Sequence, residues 1–250
     1  MEKTVFITGA TSGIGRATAL LLGEKGYRVV ACGRRESRLA ELAESLGERM
    51  HPLVFDVRDR QAVRDAVDSL PAGFAQVDVL VNNAGNAHGL DRIQEGDPDD
   101  WDAMIDINVK GLLYVTKMLL PALLRSPSGQ ILNIGSTAGK EVYPRGNVYC
   151  ASKHAVDAIN KGLRIDLLGT GVRVGAIHPG LVETEFSQVR FKGDTERADQ
   201  VYAGFEPLRA EDIAEIIWFA ISRPAHVNIA DLVVMPTAQA NSTLVHREDD

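Results

Sequence analysis

Cysteine is scarce in this sequence of 250 residues, which contains only Cys32 and Cys150. Two cysteines without metal-ligand spacing argue against a zinc site or a disulfide framework and are typical of a reduced cytoplasmic protein. Long apolar runs are also missing, since none approaches the roughly 18 residues of a membrane span. The N-terminus reaches Gly9 before the apolar stretch of a signal peptide could form. We therefore expect a cytoplasmic protein with no bound metal and no membrane partner.

An excess of positive charge is absent as well. The 27 lysine and arginine residues are outnumbered by 34 aspartate and glutamate residues, which gives a formal net charge of −7. Proteins that bind nucleic acid carry basic patches, so we expect no nucleic-acid partner. The composition is otherwise that of an ordinary globular protein, with 45% hydrophobic and 24% charged residues. This balance excludes a disordered or fibrous chain.

Short β-branched runs alternate with longer amphipathic segments along the chain. Seven strands are predicted, at 5–8, 27–32, 51–55, 77–81, 130–134, 172–177 and 232–235. Helices are predicted at 14–25, 37–46, 61–70, 98–124, 148–168 and 210–220. Such alternation requires right-handed crossovers and a parallel sheet covered by helices on both faces. The sequence therefore predicts an α/β fold: a single doubly wound, Rossmann-type domain over residues 1–250, with a seven-stranded, mainly parallel sheet.

A glycine-rich turn joins the first predicted strand to the first predicted helix, with the spacing G-x-x-x-G-x-G. Glycine permits a tight turn and lets backbone N–H groups approach a pyrophosphate at the start of the helix. A glycine-rich loop alone is a weak indication, because such loops also occur without a ligand. Its place between strand and helix favours a dinucleotide site. The candidate cofactor-binding residues of this turn are Gly9, Thr11, Ser12, Gly13, Ile14 and Gly15.

The second predicted strand is followed by Gly33, Arg34 and Arg35. A site for NAD would place a carboxylate here to bind the ribose 2′-hydroxyl. Guanidinium groups instead bind a 2′-phosphate through charge-assisted hydrogen bonds, and Arg16 could join them. In the alternative interpretation, Glu36 takes the carboxylate role while the arginines face solvent. We predict that the cofactor is NADP rather than NAD.

Tyr149 and Lys153 are four residues apart near the start of a predicted helix, and so share one helix face. A free tyrosine has a pKa of about 10, but a neighbouring ammonium and an oxidised nicotinamide ring would both favour the phenolate. Taken alone, such a pair is more often a core tyrosine beside a solvated lysine. Here Ser136 ends a strand, Asn108 lies in the long predicted helix, and Asn83 follows the fourth strand. All of these positions fall where the cofactor cleft is expected.

Together these residues resemble the short-chain dehydrogenase/reductase family, over nearly the whole chain. The resemblance implies that Tyr149 is the acid/base and that Lys153 lowers its pKa and binds the nicotinamide ribose. It also implies that Ser136 hydrogen-bonds the substrate oxygen and that Asn108 supports a water-linked proton relay. Other positions match the family's contacts with adenine, the adenosine ribose and the nicotinamide: Asp56, Val57, Asn83, Pro179, Gly180, Leu181, Val182 and Thr184.

Several shorter segments resemble, more narrowly, the NADP-dependent 3-hydroxy acid dehydrogenases: 136–139, 146–149, 189–194, 224–229 and 235–237. That resemblance implies reversible oxidation of the 3-hydroxyl of serine, L-allo-threonine and related acids, or reduction of malonic semialdehyde. Two alternatives stay open. One is an NADP-dependent carbonyl reductase of the same family that acts on an uncharged ketone, pteridine or quinone, and the other is a non-catalytic NADP-binding sensor. The family also suggests a homotetramer.

A hydroxy-acid substrate requires a partner for its carboxylate. Arg145, which precedes Tyr149 by four residues, and Arg190 and Lys192 are the candidates, although each alone could equally be a surface charge. Residues 183–202 combine glycine, aromatic and charged side chains, and we expect this segment to form a lid over the substrate.

Overall fold

The computed structural model describes residues 2–248, so Met1, Asp249 and Asp250 of the predicted domain lie outside the described residues. Within this range, seven strands form one sheet in the order β3-β2-β1-β4-β5-β6-β9, and every neighbouring pair is parallel. The strands are β1 Thr4–Thr8, β2 Arg28–Gly33, β3 Met50–Val54, β4 Val79–Asn82, β5 Gln130–Ile134, β6 Arg173–Pro179 and β9 Asp231–Val234. The order reverses between β1 and β4, and the carboxyl ends of the strands form a crevice at that switch point.

Helices cover both faces of the sheet. They are α1 Gly13–Glu24, α2 Glu36–Leu46, α3 Arg60–Asp68, α4 Pro98–Ile105, α5 Leu112–Arg125, α6 Asn147–Asp166, α7 Phe186–Arg190, α8 Thr195–Gln200 and α9 Ala210–Ile221. A second, two-stranded parallel sheet pairs β7 Val182–Glu183 with β8 Leu208–Arg209. The predicted fold class is confirmed, because the sheet is parallel, has seven strands and is covered on both sides.

Alternate residues of the central strand supply the two halves of the core. Ile7 packs in one cluster with Leu22 of α1 and Ile213 of α9. Phe6 points to the opposite face and packs in a second cluster that includes Leu119 of α5. This alternation is the two-residue period of a strand, and burial on both faces explains why the strand sequences are continuously apolar.

The stretch Pro98–Arg125 is long and apolar enough to cross a membrane by length and composition alone, but half of its most apolar window is buried inside the protein. Val115, Leu119 and Leu123 belong to the second core cluster. Core packing against the sheet therefore accounts for these apolar residues.

The structure departs from the predicted elements in two places. The long helix predicted at 98–124 is interrupted by a π-helical turn, Asp106–Gly111, which separates α4 from α5. The segment expected to be a lid contains the short helices α7 and α8 and part of the β7–β8 pair, which the sequence pattern did not reveal. Helices of five and six residues are too short to show the periodicity on which helix prediction depends.

Candidate active site

The carboxyl ends of the strands border a cleft of about 540 Å³. The glycine turn, the loops after β2, β4, β5 and β6, the start of α6 and the segment containing α7 all contribute to its walls. The structure brings most of the predicted site residues to this one cleft. The predicted residues that do not line it are Gly15, Arg16, Asn108, Arg145 and Lys192.

The glycine turn forms one end of the cleft. Helix α1 begins at Gly13, and the backbone amides of its first turn have no intrahelical partner. Because the Ser12 side chain does not cap them, these amides remain available to a ligand. Gly9 has a φ of +67°, a conformation that favours glycine. A Cβ at Gly15 would collide with the Gly9 carbonyl and the Asn83 amide. Gly15 is therefore required for the close packing of the turn, and the turn leaves a cradle that fits a pyrophosphate.

The loop after β4 is fastened to this turn. The Thr8 hydroxyl accepts hydrogen bonds from the backbone amides of Asn83 (2.9 Å) and Ala84 (2.8 Å). In return, the Asn83 side-chain amide donates to the Thr8 carbonyl at 2.8 Å. Asn83 therefore holds the two loops at the switch point together, while it also lines the cleft.

The residues after β2 distinguish the two cofactor interpretations. Arg34 and Arg35 line the cleft, whereas Glu36 is exposed and does not. The Arg34 side chain is 57% exposed, and its Nη1 lies 3.7 Å from an Asp56 carboxylate oxygen. Arg35 donates to the Thr11 hydroxyl and pairs with Glu185 at 2.7 Å. The side chains that directly follow β2 and line the cleft are therefore cationic, which fits a 2′-phosphate.

Tyr149, Lys153 and Ser136 meet at the other end of the cleft. Helix α6 carries the first two, and each is less than 10% exposed (Tyr149 8%, Lys153 6%). The Lys153 ammonium donates to the Ile134 carbonyl at 3.0 Å. The Ser136 hydroxyl accepts from the Ala138 amide at 3.1 Å, which fixes the serine at the end of β5.

Burial controls the electrostatics of this group. Burial raises the pKa of the Tyr149 phenol well above its ordinary value, and the nearby Tyr143 phenol raises it further. Ser136 and Arg190 lower that pKa, but by less than burial raises it. Burial also lowers the pKa of Lys153 to about 8. Ionisation of this phenol near neutral pH therefore stays a prediction for the cofactor-bound site, because in the chain alone desolvation raises the pKa more than Ser136 and Arg190 lower it.

Asn108 supports α6 from behind the cleft wall. It lies in the π-helical turn, is 2% exposed, and donates to the Ser152 hydroxyl at 2.9 Å and to the Asn86 carbonyl at 2.8 Å. Ser152 in turn donates to the Tyr149 carbonyl at 2.7 Å. Turns of this kind often occur at functional sites. Ser152 was not predicted as a site residue, although its place directly before Lys153 was a possible signal.

The three candidate cations for a substrate carboxylate occupy different environments. Arg145 is exposed and lies outside the cleft, and the Lys192 ammonium pairs with Asp100 at 3.0 Å. The Arg190 guanidinium lies 5.4 Å from the centre of the Tyr149 ring. Of the three candidates, Arg190 is the one that lines the cleft.

The segment after β6 passes along the cleft from Pro179 to Thr184. The Leu181 amide donates to the side chain of Gln239 at 2.9 Å. Gln239 follows β9 and is 6% exposed, and a Cβ at Gly180 would collide with it. The role of Gln239 is not predictable from the sequence, because nothing in the local pattern indicates a contact across 58 positions of the chain.

A cluster with metal-ligand spacing lies apart from these residues. Asp157, His178 and Asp231 each offer a ligand atom within 4.8 Å of the others. The Lys140 ammonium hydrogen-bonds Asp157 at 2.8 Å and Asp231 at 2.6 Å. A side-chain cation therefore already neutralises the carboxylates that a metal would need.

Comparisons with known proteins agree with this geometry. The family model described as short chain dehydrogenase matches residues 3–195. The chain is 48% identical to sulfoacetaldehyde reductase 2 of Chromohalobacter salexigens, over 100% of both chains. It is 46% identical to an NADP-dependent 3-hydroxy acid dehydrogenase of Escherichia coli, over 98% of this chain and 99% of that protein.

Among solved structures, the closed form of a serine dehydrogenase complexed with NADP+ superposes with a TM-score of 0.94 at 45% identity. The match covers 98% of this chain and 100% of that one. Fold, cleft and sequence thus lead to the same assignment: the chain belongs to the short-chain dehydrogenase/reductase family of oxidoreductases.

Proposed function

We propose that this protein is an NADP-dependent oxidoreductase that reversibly oxidises the 3-hydroxyl of small hydroxy acids. The substrates proposed are serine, L-allo-threonine, 3-hydroxyisobutyrate and 3-hydroxypropionate, with malonic semialdehyde as the substrate of the reverse reaction. The observation that carries this proposal is the position of Arg190, whose guanidinium lies 5.4 Å from the ring of Tyr149 in the dinucleotide cleft. A cation so near the acid/base favours a substrate whose anionic group is only a few bonds from the reacting carbon.

NADP is the cofactor in this proposal. The glycine turn would hold the pyrophosphate, and Arg34 and Arg35 would hold the 2′-phosphate. The 3-hydroxy acid dehydrogenase relative is NADP-dependent and the serine dehydrogenase was solved with NADP+, which supports the same choice. When bound, the cofactor supplies the hydride chemistry, while the chain supplies orientation and electrostatics.

The chain's own residues would move the proton. Tyr149 takes the hydroxyl proton during oxidation and returns it during reduction, and Ser136 orients the substrate oxygen. Because burial raises the pKa of the Tyr149 phenol, proton removal requires added positive charge at the site, as an oxidised nicotinamide ring provides. Lys153 contributes an ammonium that binds ribose, and Asn108 holds α6 in register through Ser152.

A sulfonated aldehyde is the second candidate substrate. The relative from Chromohalobacter salexigens is named a sulfoacetaldehyde reductase and is as similar to this chain as the hydroxy acid dehydrogenases are. A sulfonate, like a carboxylate, is a small anion that a guanidinium binds through paired hydrogen bonds. The uncharged ketone, pteridine or quinone of the alternative proposal would leave Arg190 without an anionic partner.

A substrate panel tests the function. Purified enzyme is assayed by NADPH absorbance with serine, 3-hydroxyisobutyrate, a hydroxy sulfonate and uncharged alcohols, each with NADP and with NAD. We expect turnover of anionic substrates with NADP, and we expect Tyr149→Phe to lose nearly all of it while still binding NADP. NADP binding without turnover of any alcohol would instead support a non-catalytic sensor.

Arg190→Met and Arg145→Met form a matched pair, since both remove one arginine but only Arg190 lines the cleft. Loss of one charge-assisted hydrogen bond corresponds to at least about a tenfold increase in KM. We expect that increase for hydroxy acids in Arg190→Met, and no selective change in Arg145→Met. Equal effects of Arg190→Met on charged and uncharged substrates would refute the carboxylate role.

The remaining proposals concern organisation. We propose a cytoplasmic homotetramer whose single domain carries a substrate lid at residues 183–202. The edge strand β9 exposes Val233, which is 48% accessible, and the unpaired edge of a sheet is a template for pairing with another chain. Light scattering coupled to size-exclusion chromatography tests the tetramer, and a monomer at assay concentration would refute it.

A further inference from the structure

Tyr143 stands beside Arg190 at the substrate end of the cleft. It precedes α6 in the loop that leads from β5, and it lines the cleft together with Tyr149. The Arg190 Nη2 group donates a hydrogen bond of 2.8 Å to the Tyr143 hydroxyl. A Cβ at Gly146 would collide with the Tyr143 ring, so the glycine at that position makes room for it.

Not every hydrogen-bond donor of Tyr143 and Arg190 is paired with an acceptor among residues 2–248. A phenol oxygen that accepts from a guanidinium still has its own O–H to donate. Among residues 2–248, that O–H finds no acceptor, and the Arg190 Nη1 group finds none either. The Arg190 Nε group is occupied by the Gly89 carbonyl at 3.2 Å. Two donors from different side chains therefore remain free at the same end of the cleft.

We propose that Tyr143 is a specificity-determining residue that, with Arg190, forms a two-donor seat for the anionic group of the substrate. The inference rests on the proposed function, and the group that the seat takes is a carboxylate or a sulfonate. Burial raises the pKa of Tyr143, which keeps the phenol protonated and able to donate at neutral pH.

The seat is held in place before any substrate arrives. The Gly89 amide donates to the Arg190 carbonyl at 2.9 Å while the Gly89 carbonyl accepts from the Arg190 side chain, so the two segments are tied by a reciprocal pair. The guanidinium also packs 5.5 Å from the Tyr143 ring and 5.4 Å from the Tyr149 ring. Donors that are already ordered lose little conformational freedom on binding, so both can contribute to affinity.

The position of the seat limits the length of the substrate. The Arg190 guanidinium donates to the Tyr143 hydroxyl at 2.8 Å and lies 5.4 Å from the centre of the Tyr149 ring. An anion bound by Tyr143 and Arg190 therefore places only a short carbon chain between itself and the oxygen that Tyr149 protonates. 3-Hydroxy acids and 2-hydroxy sulfonates meet this requirement, because a single carbon separates their anionic group from the carbon that bears the hydroxyl.

Tyr143→Phe removes only the hydroxyl and tests the seat. We expect KM for 3-hydroxyisobutyrate and for 2-hydroxyethanesulfonate to rise about tenfold, with little change in KM for an uncharged alcohol. Tyr202→Phe is the matched control, because Tyr202 also lines the cleft but its hydroxyl is already occupied: it donates to the Val182 carbonyl at 2.9 Å and lies 2.8 Å from the Ser187 hydroxyl. Its ratio of KM values for charged and uncharged substrates is expected to stay at the wild-type level.

A double-mutant cycle separates donation to the substrate from mere positioning of Arg190. If Tyr143 donates to the anion, Tyr143→Phe still raises KM for acids in the Arg190→Met background. An effect in the wild-type background alone would overturn the two-donor seat and leave Tyr143 as a support for the arginine. No effect in either background would overturn the inference while the proposed function stands. A wild-type enzyme that turns over no anionic substrate would instead overturn the proposed function and the seat with it.

Discussion

Replacing Arg34 by serine tests how this cleft chooses between the two nicotinamide cofactors. The Arg34 side chain lines the cleft and is 57% exposed, and its ion pair among residues 2–248 is a loose contact with Asp56 at 3.7 Å. It can therefore turn to a 2′-phosphate without breaking a strong hydrogen bond. Arg35 is more firmly engaged, since it pairs with Glu185 at 2.7 Å and contacts Thr11.

The size of the effect follows from the type of interaction. A hydrogen bond to a charged group is worth about 1.5–3 kcal/mol, and the exposure of Arg34 favours the lower end of that range. Because 1.4 kcal/mol corresponds to a factor of ten, Arg34→Ser should lower kcat/KM for NADP by roughly 10- to 30-fold. The same change should leave kcat/KM for NAD nearly unaltered, since NAD has no 2′-phosphate.

The assay compares both cofactors at a saturating concentration of one substrate. Arg38→Ser is the matched control. Like Arg34, Arg38 makes an ion pair with a carboxylate, in this case Glu185 at 3.3 Å, but it does not line the cleft. Higher salt should weaken NADP binding more in the wild type than in Arg34→Ser, because salt screens an exposed charge pair. The reasoning fails if Arg34→Ser impairs both cofactors equally, or if Arg38→Ser matches its effect.

Three further outcomes can be measured. Gly15→Ala should abolish NADP binding in a fluorescence titration, because the new Cβ collides with the Gly9 carbonyl, and binding at wild-type affinity would contradict this account of the turn. Lys140→Met should lower the free energy of unfolding by about 2 kcal/mol in urea titrations at neutral pH, because it removes the ammonium between the Asp157 and Asp231 carboxylates. An unchanged midpoint of the urea transition would show that this ammonium contributes nothing to stability. Burial opposes ionisation of Asp157, yet hydrogen bonds from the neighbouring lysines lower its pKa. The ionised carboxylate therefore stabilises the fold above about pH 4, and this contribution is lost as the pH falls through the pKa of the folded state. The melting temperature of Lys140→Met should accordingly decline less steeply in acid than that of the wild type.

The sheet and most of the cleft could be predicted from local sequence. Strands such as β5 are continuously apolar because both faces are buried, and the strand ends fix which loops meet at the switch point. Gly9 and Ser136 follow from that placement, because they come directly after β1 and two residues after β5. Tyr149 follows instead from its helical spacing to Lys153 on α6. Fold class and family are confirmed, whereas the roles of individual residues stay predictions.

Contacts between distant loops could not be predicted in the same way. The sequence does not distinguish Arg145, Arg190 and Lys192, because all three are cationic. The course of the chain through α7 is what places Arg190 beside Tyr149. The bond from Arg190 to Tyr143 spans 47 positions and leaves no periodic trace in either segment. The ionisation of Tyr149 was also beyond reach, because it depends on how completely the surrounding loops exclude water.

Residues far apart in the sequence cooperate in one cleft. Gly9 follows β1 in the middle of the sheet, whereas Gln239 follows the edge strand β9 and holds the Leu181 amide. A chain emerging from the ribosome can begin to pair β1 with β2 early, but it lacks the glutamine that supports the loop after β6 until residue 239 has been added. Catalytic competence therefore waits for Gln239, and truncated products that end before this residue should be inactive even where they retain the nucleotide cradle.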